Sequence, residues 1–147
     1  MPLTTAQPKS FTSAEPAPGL LLAEGAGTVL LIEDEPAISR MLVRLFAQAG
    51  LRVVAAADAA EGFAWLARDP GSVSLAFVDC HGADLDQRDF CRRVRSILPC
   101  LPVMVAAGPD LTGDRAEDNG LTVFVPRPYL PTELVWKVRS MLGRAAA

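Results

Sequence analysis

Two short apolar runs, each stopped by carboxylates, constrain this chain more than anything else in it. Leu75-Ala76-Phe77-Val78 ends at Asp79, and Val29-Leu30-Leu31-Ile32 ends at Glu33-Asp34-Glu35. Four consecutive apolar residues without alternation describe a strand buried on both faces, the kind found in parallel sheets. Open α/β sheets bind their ligands at the carboxyl ends of such strands. Placed side by side, the two strands bring three or four carboxyl groups to one edge, where like charges repel and a cation relieves them.

The chain of 147 residues is 50% hydrophobic, enough for one domain with a substantial core. A net charge of −3 and a pI near 5.1 speak against a nucleic-acid-binding surface. The densest basic patch, Arg92-Arg93 with Arg95, reads as a solvated helix face. Cys80, Cys91 and Cys100 are odd in number and irregular in spacing, which suits a reducing, cytoplasmic setting without disulfides. No apolar run approaches the ~20 residues of a membrane span, and Leu20-Leu21-Leu22-Ala23 is too short for a signal peptide core.

Residues 1–26, rich in Pro, Ala, Ser, Thr and Gly, read as a flexible leader, and 27–147 as the folded domain. Strands are predicted at Thr28–Glu33, Arg52–Ala57, Ser74–Asp79, Val103–Ala106 and Thr122–Val125. Helices are predicted between them. The first opens at Pro36, carries Ile38, Met41, Leu42, Leu45 and Ala49, and stops at Gly50. The second starts at a capping-box-like Asp58/Glu61 pair and carries Phe63, Trp65 and Leu66. The third aligns Phe90, Val94, Ile97 and Leu98. A weak fourth, Asp110–Asn119, is interrupted by Gly113. The last begins at Pro131 and buries Leu134, Val135, Val138, Met141 and Leu142. Five β-α units with right-handed crossovers give a three-layer α/β sandwich around a five-stranded parallel sheet.

On this edge Glu33, Asp34 and Asp79 are hard oxygen donors suited to Mg²⁺. Arg127, at the end of the fifth strand, brings a cation to the same place, and Pro128 makes a rigid bend beside it. Leu31-Ile32-Glu33-Asp34-Glu35-Pro36, Phe77-Val78-Asp79 and Arg127-Pro128-Tyr129, at these intervals, resemble the receiver domain of two-component response regulators over residues 28 to about 143. The resemblance implies a flavodoxin-like fold and a non-enzymatic phosphorelay module. Asp79 would accept a phosphoryl group from a histidine kinase or phosphotransfer protein. Glu33, Asp34, Asp79 and the backbone carbonyl of His81 would hold Mg²⁺. Arg127 would contact the phosphoryl group, and Phe124 would occupy the aromatic switch position. A downstream protein would read the output face, a homodimer could form through it, and neither nucleic acid nor membrane is expected as a partner.

The chain departs from that pattern in four places. Ala107 stands where the family has Thr or Ser, so only its backbone N–H is offered; a hydrogen bond to a charged group is worth about 1.5–3 kcal/mol. Arg127 replaces lysine in a chain with twelve Arg and two Lys. The loop Cys80-His81-Gly82-Ala83 lacks the family's Met-Pro pair, Gln87 replaces a usual Gly, and His81 lies where phosphate lifetime is influenced. The segment Pro109–Gly120 is short. The chain is expected to act as a stand-alone receiver or as a fragment of a larger protein such as a hybrid kinase. The alternative is a phosphorylation-independent pseudo-receiver, favoured by Ala107 and opposed by the intact acidic triad. An aspartate-nucleophile phosphohydrolase would need a second Asp where His81 stands. A zinc site at Cys80/His81 lacks a second ligand pair, and no glycine-rich nucleotide loop occurs.

Overall fold

The structure, a computed structural model, describes residues 27–79, 87–107 and 120–146. The leader 1–26, the loop 80–86 with His81, and the predicted helix at 110–119 lie outside the described residues. The element order is β1 (Thr28–Glu33), α1 (Pro36–Gln48), β2 (Arg52–Ala56), α2 (Ala59–Arg68), a 3₁₀ turn (Pro70–Ser72), β3 (Leu75–Asp79), α3 (Gln87–Ile97), β4 (Val103–Ala107), β5 (Thr122–Pro126) and α4 (Pro131–Ala146). All pairings are parallel, in the order β2-β1-β3-β4-β5. The five-stranded parallel sheet expected from the alternation of strands and helices is therefore present, in the flavodoxin-like form the resemblance implies, its order reversing between β1 and β3, where such sheets hold ligands.

Every residue of β3 and β4 is buried, as is β1 from Val29 onward. Successive side chains enter opposite layers, because the period of a strand is two. Val29, Leu31, Leu75, Phe77, Met104 and Val125 pack with Leu42, Val43 and Phe46 of α1 and Leu134, Val138 and Met141 of α4. Leu30, Ile32, Ala76, Val78 and Val105 pack with Phe63 and Leu66 of α2 and Phe90 and Val94 of α3. The parity that sends Leu31 and Phe77 toward α1 and α4 sends Glu33 and Asp79 the same way.

Local chemistry sets the helix ends. Asp58 accepts the Glu61 N–H at 2.8 Å, while the Glu61 carboxylate reaches back to the Ala57 N–H at 3.0 Å. The capping box thus forms, shifted one residue outward on its return arm. Gly50, at φ +91°, closes α1 in the left-handed region and donates to the Ala47 carbonyl. The close packing of α2 on β1 shows at Gly62, where a Cβ would lie 2.5 Å from Ile32 Cδ1.

Three expectations need correction. Met41 is 47% exposed and Ile97 44% exposed, at the margins of stripes whose Leu42, Ala49, Phe90 and Val94 are buried; Val43, Phe46 and Cys91 are buried beside them. Arg95 does not share the solvated face of Arg92 and Arg93. Its guanidinium donates to the Leu101 carbonyl and, at 3.0 Å, to Thr122 Oγ1, tying α3 to the start of β5. Strand ends differ by a residue: β2 and β3 are shorter, β4 and β5 longer. Phe46 is fully buried and meets Phe77 edge-on with centroids 6.0 Å apart. Phe46→Ala is expected to lower unfolding stability by about 3–5 kcal/mol in urea denaturation, the usual cost of an emptied aromatic site.

Candidate functional site

Glu33 and Asp79 are register partners, the last pair of the β1–β3 ladder. They are among the few polar residues in the core, 2% and 1% exposed. Glu33 Oε1 accepts the Glu35 N–H at 2.9 Å, a bond that turns the carboxyl back over the start of α1. Asp34 is exposed beside it. Burial, the strongest cause, pushes the Glu33 carboxyl up to about 8; the hydrogen bond and charge of Asp79 and a hydrogen bond with Asp34 add to it, and the Glu35 N–H opposes it. At neutral pH Glu33 therefore holds a proton among acidic neighbours.

The fifth strand supplies the other half. The Arg127 N–H donates to the Ala107 carbonyl at 3.0 Å, continuing the β4–β5 pairing past the strand end. From there the Arg127 Nε–H donates to Asp79 Oδ1 at 2.9 Å, and one terminal N–H donates to the Ala106 carbonyl, also at 2.9 Å. The Arg127–Pro128 peptide is cis. It is followed by Tyr129, whose hydroxyl donates to Asp79 Oδ2. The Tyr129 ring stands edge-on to Phe77 at 6.2 Å. Burial first, then the hydrogen bond to Asp79, hold its phenol well above the ordinary tyrosine range, so it stays a neutral donor.

The structure thus brings together Glu33, Asp79 and Arg127, sets Asp34 beside them, and ends β4 there with a fully buried Ala107. Phe124 lies on β5 opposite Val105, half-buried on the α2–α3 side, away from the carboxyl cluster. His81 lies outside the described residues. Tyr129 is the residue sequence reasoning misses: the motif Arg127-Pro128-Tyr129 gives it no role of its own. The sequence carries no local signal for it, since Tyr129 lies past the end of β5 and its partner Asp79 is 50 residues earlier.

Among the described residues no three acidic, His or Cys side chains form a ready-made metal cage. Mg²⁺ does not require one, since it keeps several waters and takes one or two carboxylates. The donor set fits such an ion: a buried carboxyl, kept protonated by burial and by its acidic neighbours, is one from which a divalent cation would displace the proton.

No family model matches the chain. Relatives are found by sequence. The DNA-binding transcriptional regulator NtrC of Rhizobium meliloti is 30% identical over 122 residues, 82% of this chain and 24% of that protein. The response regulator MprA of Mycobacterium leprae is 30% identical over 119 residues, 79% of this chain and 51% of that protein. The chain thus spans about a quarter to a half of these relatives' length. Among solved structures, the receiver domain of the hybrid histidine kinase CckA is 27% identical, with a TM-score of 0.64 over 79% of this chain and 99% of that one. The chain belongs to the response regulator receiver domains. A receiver domain from Clostridium thermocellum shares the fold at a TM-score of 0.73 and 20% identity, covering 82% of this chain and 97% of its own. No described helix of this receiver is long and apolar enough to cross a membrane.

The state of Glu33 has a consequence for stability. Its carboxyl ionises near 4.5 in the unfolded chain and near 8 in the folded receiver. Unfolding therefore releases a proton between those values, and metal-free stability falls as pH rises through that window. Glu33→Gln, which imitates the protonated form at every pH, is expected to be more stable than wild type at pH 8 by about 1–3 kcal/mol, with the gain gone below pH 4.5. Denaturant unfolding at both pH values without divalent metal checks this.

Proposed function

We propose that this receiver takes a phosphoryl group onto Asp79 from a phosphohistidine of a histidine kinase or phosphotransfer protein, and signals by contact with another protein. One observation carries the reading: a buried carboxylate at the β1/β3 switch point, flanked by the acidic Glu33 and by the Arg127 guanidinium at 2.9 Å. An Asp79 oxygen attacks phosphorus in line, the P–N bond breaks, and its electron pair stays on the donor imidazole. Glu33, Asp34, Asp79 and the His81 carbonyl would hold Mg²⁺, which when bound neutralises charge between the carboxylate and the phosphoryl oxygens. Arg127, anchored on the Ala106 carbonyl, keeps a fixed positive charge beside the reacting group. Ala107 offers the phosphoryl group only its backbone N–H. Phe124, half-buried on the other face of β5, would be the aromatic switch residue. Residues 27–147 would make up this module, with 1–26 as a leader.

The phosphorylation-independent alternative has Ala107 in its favour, yet Ala107 does not explain why the fold buries Glu33 against Asp79. Incubation with acetyl phosphate and Mg²⁺, followed by intact-mass measurement, is expected to add one phosphoryl group per chain. Asp79→Asn is expected to add none. An unchanged wild-type mass, or equal labelling of Asp79→Asn, contradicts the proposal. Arg127→Ala is expected to slow labelling about 10-fold or more, since a charge-assisted contact worth about 1.5–3 kcal/mol is lost.

A further inference from the structure

Strand β4 ends at Ala107, fully buried and without a hydroxyl, but a hydroxyl does reach the carboxylate from the β5–α4 turn. Tyr129 donates to Asp79 Oδ2 while Arg127 donates to Oδ1, so both oxygens of the carboxylate accept from one short segment. We infer that Tyr129 is a positioning residue whose hydroxyl follows negative charge from Asp79 to an attached phosphoryl group, giving this receiver the polar switch contact that Ala107 does not. The inference rests on Asp79 being the phosphoacceptor.

The reason is where the charge goes. In the resting chain the Tyr129 bond is made to a carboxylate, and bonds to ionised acceptors are roughly twice as strong as neutral ones. When an Asp79 oxygen bonds to phosphorus, the bond from phosphorus to its donor breaks and the electron pair leaves with the donor atom. Asp79 becomes one half of an acyl phosphate. Oδ2 is then either the bridging oxygen or the carbonyl oxygen, and neither carries the charge, which sits on the phosphoryl oxygens. The Tyr129 proton stays on the phenol throughout, and the best acceptor in its reach has moved outward.

The surrounding structure couples that movement to the surface. The Tyr129 ring packs at right angles against Phe77. Leu130, the next residue, is 62% exposed, and its carbonyl accepts the Glu133 and Leu134 N–H groups at 3.0 and 3.2 Å, which starts α4. A shift of the hydroxyl is therefore felt one residue later, at the head of the helix.

Tyr129 is the chain's one tyrosine, so incorporation of 3-fluorotyrosine gives a single fluorine NMR resonance. Acetyl phosphate with Mg²⁺ serves as the phosphoryl donor, and intact mass is followed on the same sample. The resonance is expected to shift by more than its linewidth in step with the mass gain, and Asp79→Asn is expected to show neither. A mass gain with an unmoved resonance overturns this inference and leaves the phosphoacceptor reading standing; no mass gain overturns both.

Discussion

Glu33 and Asp79 end neighbouring strands in the same register, and the fold has no means of moving them apart. Slipping β1 against β3 by one residue would turn Leu30 and Ile32 out of one layer and into the other. The apolar cores on both faces therefore lock two acidic side chains together at the sheet edge, both nearly out of reach of water. Burial raises the Glu33 carboxyl to about 8, so packing in two hydrophobic layers is converted into chemical tension at one point.

The rest of the site answers that constraint. β5 pairs with β4 as far as Pro126 and then, through the Arg127 N–H on Ala107, holds its last turn against the sheet. That turn delivers a guanidinium and a phenol to the two oxygens of Asp79. Arginine suits the place: its planar fork serves Asp79 and the Ala106 carbonyl at once, which a lysine ammonium would have to do as a single point charge. Arg127 and the hydroxyl of Tyr129 thus belong to one arrangement, in which the β5–α4 turn supplies a donor to each oxygen of the carboxylate.

Most of the fold was legible because strands buried on both faces leave a simple trace. Val29–Ile32 and Leu75–Val78 could hardly be anything else, and their terminal carboxylates located the edge. The buried face of α4 was read correctly at all five positions named, since a long helix against a sheet keeps a clean period. Met41 and Ile97 were misplaced for the opposite reason. Both lie at the margin of an apolar stripe, where the helix's rotation about its axis decides exposure and sequence carries no record of it. Arg95 was misread because a solvated charge and one tying down a carbonyl look alike in sequence. Tyr129 stayed without a role because its partner lies 50 residues earlier and is reached only once β5 has been placed beside β4.

We propose that the carboxyl cluster is relieved by one divalent ion. Calorimetric titration of the metal-free protein with MgCl₂ at neutral pH tests it directly. Saturable binding of one ion per chain is expected, weakened about 10-fold or more in Glu33→Gln. Absence of binding in the wild-type protein, or equal affinity in the two proteins, would contradict it.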